Sequence, residues 1–189
     1  MDSARVLTRN EEYLSPWVSV IRKEVQFAEG EQPEVYHSLS QPDYVAILAR
    51  TKTGLIPLVR QYRPAVEDYT WELPAGLVEE GESPTDTCGR ELLEETGLTA
   101  EAISYLGAYY PDTGRLGNQM HAFFVDASVP DPVFVPESGL EVKFVTSTDL
   151  VEYTRAGSFR HQLHIGVLAI AQMTGYWSPS EVLGTVGPL

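Results

Sequence analysis

The chain has 189 residues, enough for one domain carrying an additional small sheet. Its 27 acidic side chains against 13 basic ones leave a net charge of -14, which argues against nucleic acid or an anionic membrane surface as partner, since both need clustered Lys and Arg. An apolar fraction of 43% supports a packed core, and the single cysteine, Cys88, excludes an intrachain disulfide. No apolar run approaches the ~18 residues of a membrane span, and the first residues lack the apolar centre of a signal peptide, so a cytoplasmic protein is expected.

In chain order, Trp17–Phe27 alternates loosely and carries β-branched residues, which predicts a strand. The segment AEGEQP is a turn, and Val35–Leu39 is the hairpin partner. Asp43–Arg50 and Leu55–Tyr62 are stronger strands joined at Lys52-Thr53-Gly54, and a short strand covers Thr70–Leu73. The next element is a helix with readable ends. Ser83 is a good N-cap, Pro84 suits the first helical position, and Asp86 stands three after the cap. Gly97 fits the left-handed residue that closes a helix. Gly89, inside it, is small enough to allow a close approach to a strand. Ile103–Ala108, His121–Asp126 and Leu140–Thr146 read as strands. Ser147–Arg155 forms a helix capped by Ser147, and His161–Thr174 a helix with one broad apolar face. The expected fold class is α/β (α+β), with strands and a mixed sheet around a central helix. The expected organisation is an N-terminal antiparallel strand extension over residues 1–42, a main domain over 43–178 and a tail over 179–189.

The central helix carries the chemistry. Glu91, Glu94 and Glu95 fall within five residues, and at roughly 100° per residue they share one side of the helix. Like charges at this spacing repel, and a bound cation is the natural compensation. Carboxylate oxygens suit Mg²⁺, with Mn²⁺ as the alternative. Glu91 and Glu95, one turn apart, are the main candidates for direct ligands, and Glu94 completes the site. Arg90 can pair with Glu94 at i,i+4 and hold the carboxylates in place.

Residues 76–98 match G-x5-E-x7-R-E-U-x-E-E-x-G-U at every fixed position: Gly76, Glu82, Arg90, Glu91, Glu94, Glu95 and Gly97, with Leu92 and Leu98 apolar. This is the Nudix box, and the chain resembles a Nudix hydrolase. The segment LVRQYRPAVEDYTWELPAG is similar to the ADP-ribose and nucleoside diphosphate-sugar pyrophosphatase branch, where Q-[YF]-R precedes E-[LF]-P-A-G.

The resemblance implies an α/β/α sandwich and metal-dependent cleavage of a nucleoside diphosphate-sugar. It further implies that the backbone carbonyl of Ala75, just before the box glycine, binds metal, and that Gly76 permits the close backbone approach. Glu82 and Arg90 then act as structural charge partners. Arg63 of Q-Y-R is implied to contact substrate, and Arg60 is a weaker candidate. In this branch N-terminal strands commonly exchange between two subunits, so a homodimer is expected, with Trp17 or Tyr13 stacking on the base. The run VPESGLEV places Glu137 as candidate general base, with Glu141 the alternative, because Ser138 stands where the family often has Glu. Asn118 and Gln119 occupy a region where the family often has an acid, and can hydrogen-bond sugar hydroxyls.

Overall fold

A computed structural model of the chain describes residues 4–179. Backbone contacts divide it into two compact units: the chain up to Asp43 with Tyr109–Met120, and Tyr44–Ala108 with the chain from His121 onward. The proposed tail lies outside the described residues from position 180.

The first unit is a three-stranded antiparallel sheet of β1 (Arg5–Ser15), β2 (Val18–Gln26) and β3 (Glu34–Ser40), in that order. The β2–β3 hairpin matches the sequence expectation. Strand β1 does not appear in that expectation, and its burial explains why. Ten of its eleven residues are exposed, so no apolar alternation marks it, and its order comes from pairing with β2 from Arg5↔Gln26 to Ser15↔Val18. The loop at 109–120 joins this unit through a parallel bridge, Leu39↔Leu116.

The second unit holds β4 (Tyr44–Thr51), β5 (Ile56–Arg63), β6 (Asp68–Glu72), β7 (Ala75–Leu77), α1 (Pro84–Thr96), β8 (Ala100–Tyr109), β9 (Met120–Ala127), β10 (Glu141–Val145), α2 (Ser147–Arg155) and α3 (Gln162–Met173). Its two sheets run β7-β4-β9-β8 and β10-β5-β6. Strand β4 is central. Val45, Ile47 and Ala49 pack with Cys88 and Leu92 of α1 and with Phe123 and Val125 of β9. The alternate residues Ala46 and Leu48 are fully buried on the other face, and β4 also contacts α3. Helices therefore cover both faces, as expected for an α/β sandwich. Among the described residues no helix is long and apolar enough to cross a membrane.

Helix α1 starts and stops where the sequence predicts. The Ser83 side chain accepts the Asp86 N–H, Pro84 opens the helix, and Gly97 closes it at φ 71°. Two local expectations change. The cap of α2 is Thr146, not Ser147: Thr146 and Asp149 form a reciprocal capping box, and Ser147 is already helical. A Cβ at Gly89 would meet nothing within contact distance, so no strand approaches there and the small side chain has no packing role.

Candidate active site

The site is assembled where β6 hands over to β7 beside α1. Ala75 donates its backbone N–H to Glu95 Oε2 at 3.0 Å, which ties the third box carboxylate to the segment before the box. Gly76 pairs with Val45 of β4, and a Cβ on it would overlap the Glu91 carboxylate. Glycine is thus required by close approach. Arg90 organises the other acids. It donates to Glu82 at 3.0 and 2.9 Å, to Glu91 at 2.7 Å and to Glu94 at 3.0 Å. Glu82 also accepts from Thr87, and the Arg90 guanidinium holds its carboxyl at about 2, well below the usual range.

The two inner acids shift the other way from Glu82. Burial pushes Glu95 up to about 7, with the Glu91 charge adding to it and the Ala75 N–H opposing it. Burial also raises Glu91, although Arg90 pulls the other way. Two crowded, partly desolvated carboxylates form an oxygen donor set short of positive charge. Together with Gly76's close backbone, this suits a hard divalent cation.

A cavity of about 360 Å³ opens over these groups. Glu91, Glu94 and Glu95 line one wall, Glu137, Ser138, Gly139 and Leu140 another, and Gln61 and Tyr62 of β5 complete it. Of the two candidate bases, Glu137 faces the cavity with the box acids. Glu141 does not; on β10 it pairs with Arg60 at 3.2 Å. Gln61 and Tyr62 belong to the Q-Y-R motif and line this cavity, whereas the motif arginine, Arg63, does not.

The remaining candidates sit elsewhere. Arg63 donates to both oxygens of Glu72 at 2.9 and 2.6 Å, and Glu72 is 1% exposed. Both line a separate cavity of about 550 Å³ with Arg160 and His161. Arg60 stacks over Tyr69 at 4.9 Å besides its pair with Glu141. In the N-terminal sheet, Trp17 and Tyr13 are largely exposed and line a cleft of about 190 Å³. Asn118 is buried and donates to the Pro42 carbonyl at 3.1 Å, while the Gln119 N–H donates to Asp43. Asn118 is therefore a structural tie within its own unit.

Sequence reading misses Glu72, His161 and His164, whose ligand atoms lie within 4.8 Å of one another. They do not make a metal site. Arg63 and Thr70 occupy the Glu72 carboxylate, and His164 Nδ1 accepts the Leu73 N–H, which leaves the proton on Nε2 of the neutral ring. The signal for Glu72 was its place between Trp71 and Leu73 in a short strand; its partners come from residues distant in sequence.

A family model described as the NUDIX domain matches residues 40–164, well over half of the chain. The chain belongs to the NUDIX family. The chain is 40% identical over 88 residues to the ADP-ribose pyrophosphatase of Bacillus subtilis, covering 47% of this chain and 48% of that protein. The chain thus spans about half the length of that relative. It is 28% identical over 164 residues to a CMP-5'-(N-acetyl-N-hydroxy-3-aminopropyl)phosphonate hydrolase of Streptomyces rubellomurinus, covering 85% of this chain and 79% of that one. The crystal structure of an ADP compounds hydrolase superposes with a TM-score of 0.74 at 19% identity, over 92% of this chain and 97% of that chain, which supports the NUDIX fold.

Proposed function

We propose that this NUDIX chain hydrolyses the pyrophosphate bond of ADP-ribose or a related nucleoside diphosphate-sugar, releasing a nucleoside monophosphate and a sugar phosphate. The observation that carries this reading is the cavity that gathers Glu91, Glu94, Glu95 and Glu137. Three of these acids are metal-type donors, and the fourth lines the facing wall.

When bound, Mg²⁺ (or Mn²⁺) would polarise the phosphoryl oxygens and lower the cost of charge developing on them. Glu91, Glu94, Glu95 and the Ala75 carbonyl would hold it. Arg90 Nη1 bridges Glu91 and Glu94 and holds both in place, while Glu82 fixes Arg90 from the other side. Glu137 accepts the proton of the attacking water, and Gln61 and Tyr62 bind the substrate's polar groups from the opposite wall. Arg63, whose side chain is 40% exposed although tied to Glu72 and whose charge bears on Glu95, would supply positive charge for the diphosphate. Arg60 is the weaker candidate, being committed to Glu141. The N-terminal strand extension, with exposed Trp17 and Tyr13, serves base stacking and pairing of two subunits in a cytoplasmic homodimer.

Similarity over most of the chain to a hydrolase of a CMP-phosphonate supports a second reading, in which the substrate is another nucleoside phosphate conjugate with a different base. A panel of ADP-ribose, ADP-glucose, GDP-mannose and a CMP conjugate, each assayed for phosphatase-coupled phosphate release with and without Mg²⁺, separates the two. Release from ADP-ribose that requires Mg²⁺ and falls by more than about 100-fold in Glu95→Gln is expected, since even outer partners of a metal are worth 10–100-fold. Mg²⁺-independent turnover, or unchanged turnover in Glu95→Gln, refutes the assignment.

A further inference from the structure

We infer that His164, on α3, is a positioning residue of the metal site: by accepting the Leu73 N–H it sets the course of Leu73-Pro74-Ala75 and hence the Ala75 carbonyl. The inference rests on the reading above in which that carbonyl is a ligand. Strand β6 ends at Glu72, whose partner is Val59, so the Leu73 N–H lies just past the ladder of β5 and β6. Leu73 is 0% and His164 1% exposed. A buried N–H without an acceptor loses its hydration with nothing in return. The imidazole Nδ1 supplies that acceptor at 3.1 Å.

The neighbouring backbone is held in the same manner by other elements. Pro74 has no N–H to satisfy, and its carbonyl accepts from Ile47 of β4 at 2.9 Å. The Ala75 N–H goes to Glu95 of α1 at 3.0 Å. Thus α3, β4 and α1 each pin one backbone group of a three-residue turn. Removing the α3 anchor frees the end of the turn nearest β6. The ring itself is fixed: His161 stacks on it at 3.9 Å between centroids and 20° between planes. Burial and the neighbouring His161 also keep the imidazole neutral, with its pKa pushed down to about 3, so Nδ1 stays an acceptor at ordinary pH.

The test is Mn²⁺ binding to the full chain without substrate, followed by electron paramagnetic resonance. Glu95→Gln must weaken wild-type binding; if it does not, the metal reading fails and this inference falls with it. Given that, His164→Leu is expected to raise the Mn²⁺ dissociation constant by about tenfold or more, while His164→Asn, whose Oδ1 takes the place of Nδ1, stays within about threefold of wild type. Both variants are checked for cooperative thermal unfolding. Wild-type affinity in a folded His164→Leu, or equal loss in Leu and Asn, overturns the proposal. The ¹⁵N spectrum of wild-type histidines tests it without any variant. An unprotonated Nδ1 with a protonated Nε2 at His164 supports it, and a protonated Nδ1 overturns it even where His164→Leu does not fold.

Discussion

The Arg63–Glu72 pair offers a perturbation whose size changes with pH. Glu72 is almost fully buried and accepts both Arg63 hydrogen bonds and one from Thr70. Burial alone would raise its pKa, but the Arg63 and Thr70 hydrogen bonds outweigh burial and leave it lowered. Arg63→Met keeps much of the side-chain volume and removes the charge. Removing one partner of a buried pair costs about 3–5 kcal/mol. The Arg63 side chain is 40% exposed, so water screens part of that, and about 2–3 kcal/mol is expected at neutral pH.

With Glu72 lowered in the wild type, its contribution is present above the unfolded value of about 4.3 and is lost as pH falls through the folded value. In Arg63→Met burial is unopposed by the guanidinium, so Glu72 rises. The variant then gains relative stability as pH falls and Glu72 takes up a proton. The gap between the two proteins is therefore widest near pH 7.5 and closes towards pH 4. Urea unfolding reads it directly: with an m value of about 2 kcal/mol/M, the midpoint should fall by about 1–1.5 M at pH 7.5. A midpoint within about 0.2 M of wild type at pH 7.5, or a gap as wide at pH 4 as at pH 7.5, refutes the reasoning.

Two glycines of the box region should respond in opposite directions. Gly89→Ala places a methyl group where nothing lies within contact distance in the middle of α1, so it should stabilise by about 1 kcal/mol and raise Tm by about 2–4 °C; an unchanged or lower Tm by calorimetry would contradict the packing seen there. Gly76→Ala drives a methyl group into the Glu91 carboxylate, so it should cost about 1–3 kcal/mol and raise the Mg²⁺ concentration for half-maximal turnover about tenfold. A wild-type Mg²⁺ titration of that variant would show that Glu91 does not need its observed position.

What could be read from the sequence was local. Ser83, Pro84 and Gly97 set the ends of α1 through hydrogen bonds within a few residues, and the spacing of Glu91, Glu94 and Glu95 follows from helix geometry alone. Strands β4 and β5 announce themselves because both carry long apolar stretches. The rest depends on register and on distant partners. Strand β1 exposes nearly every side chain, so only its backbone pairing defines it. Gly76 and Gly89 look equivalent as letters; the Glu91 carboxylate beside one and empty space beside the other separate them. Arg63 was legible as a motif arginine, but its orientation follows from the β5–β6 hairpin, which places Glu72 nine residues on within reach of the guanidinium. His164 was one of two histidines on an apolar helix, and its partner, the Leu73 N–H, lies 91 residues away. The box therefore supplies carboxylates by itself, whereas their alignment against Ala75 draws on β4 and α3. A substitution in α3 that leaves the box intact can then weaken metal binding without erasing the fold, and the motif alone would not reveal the loss.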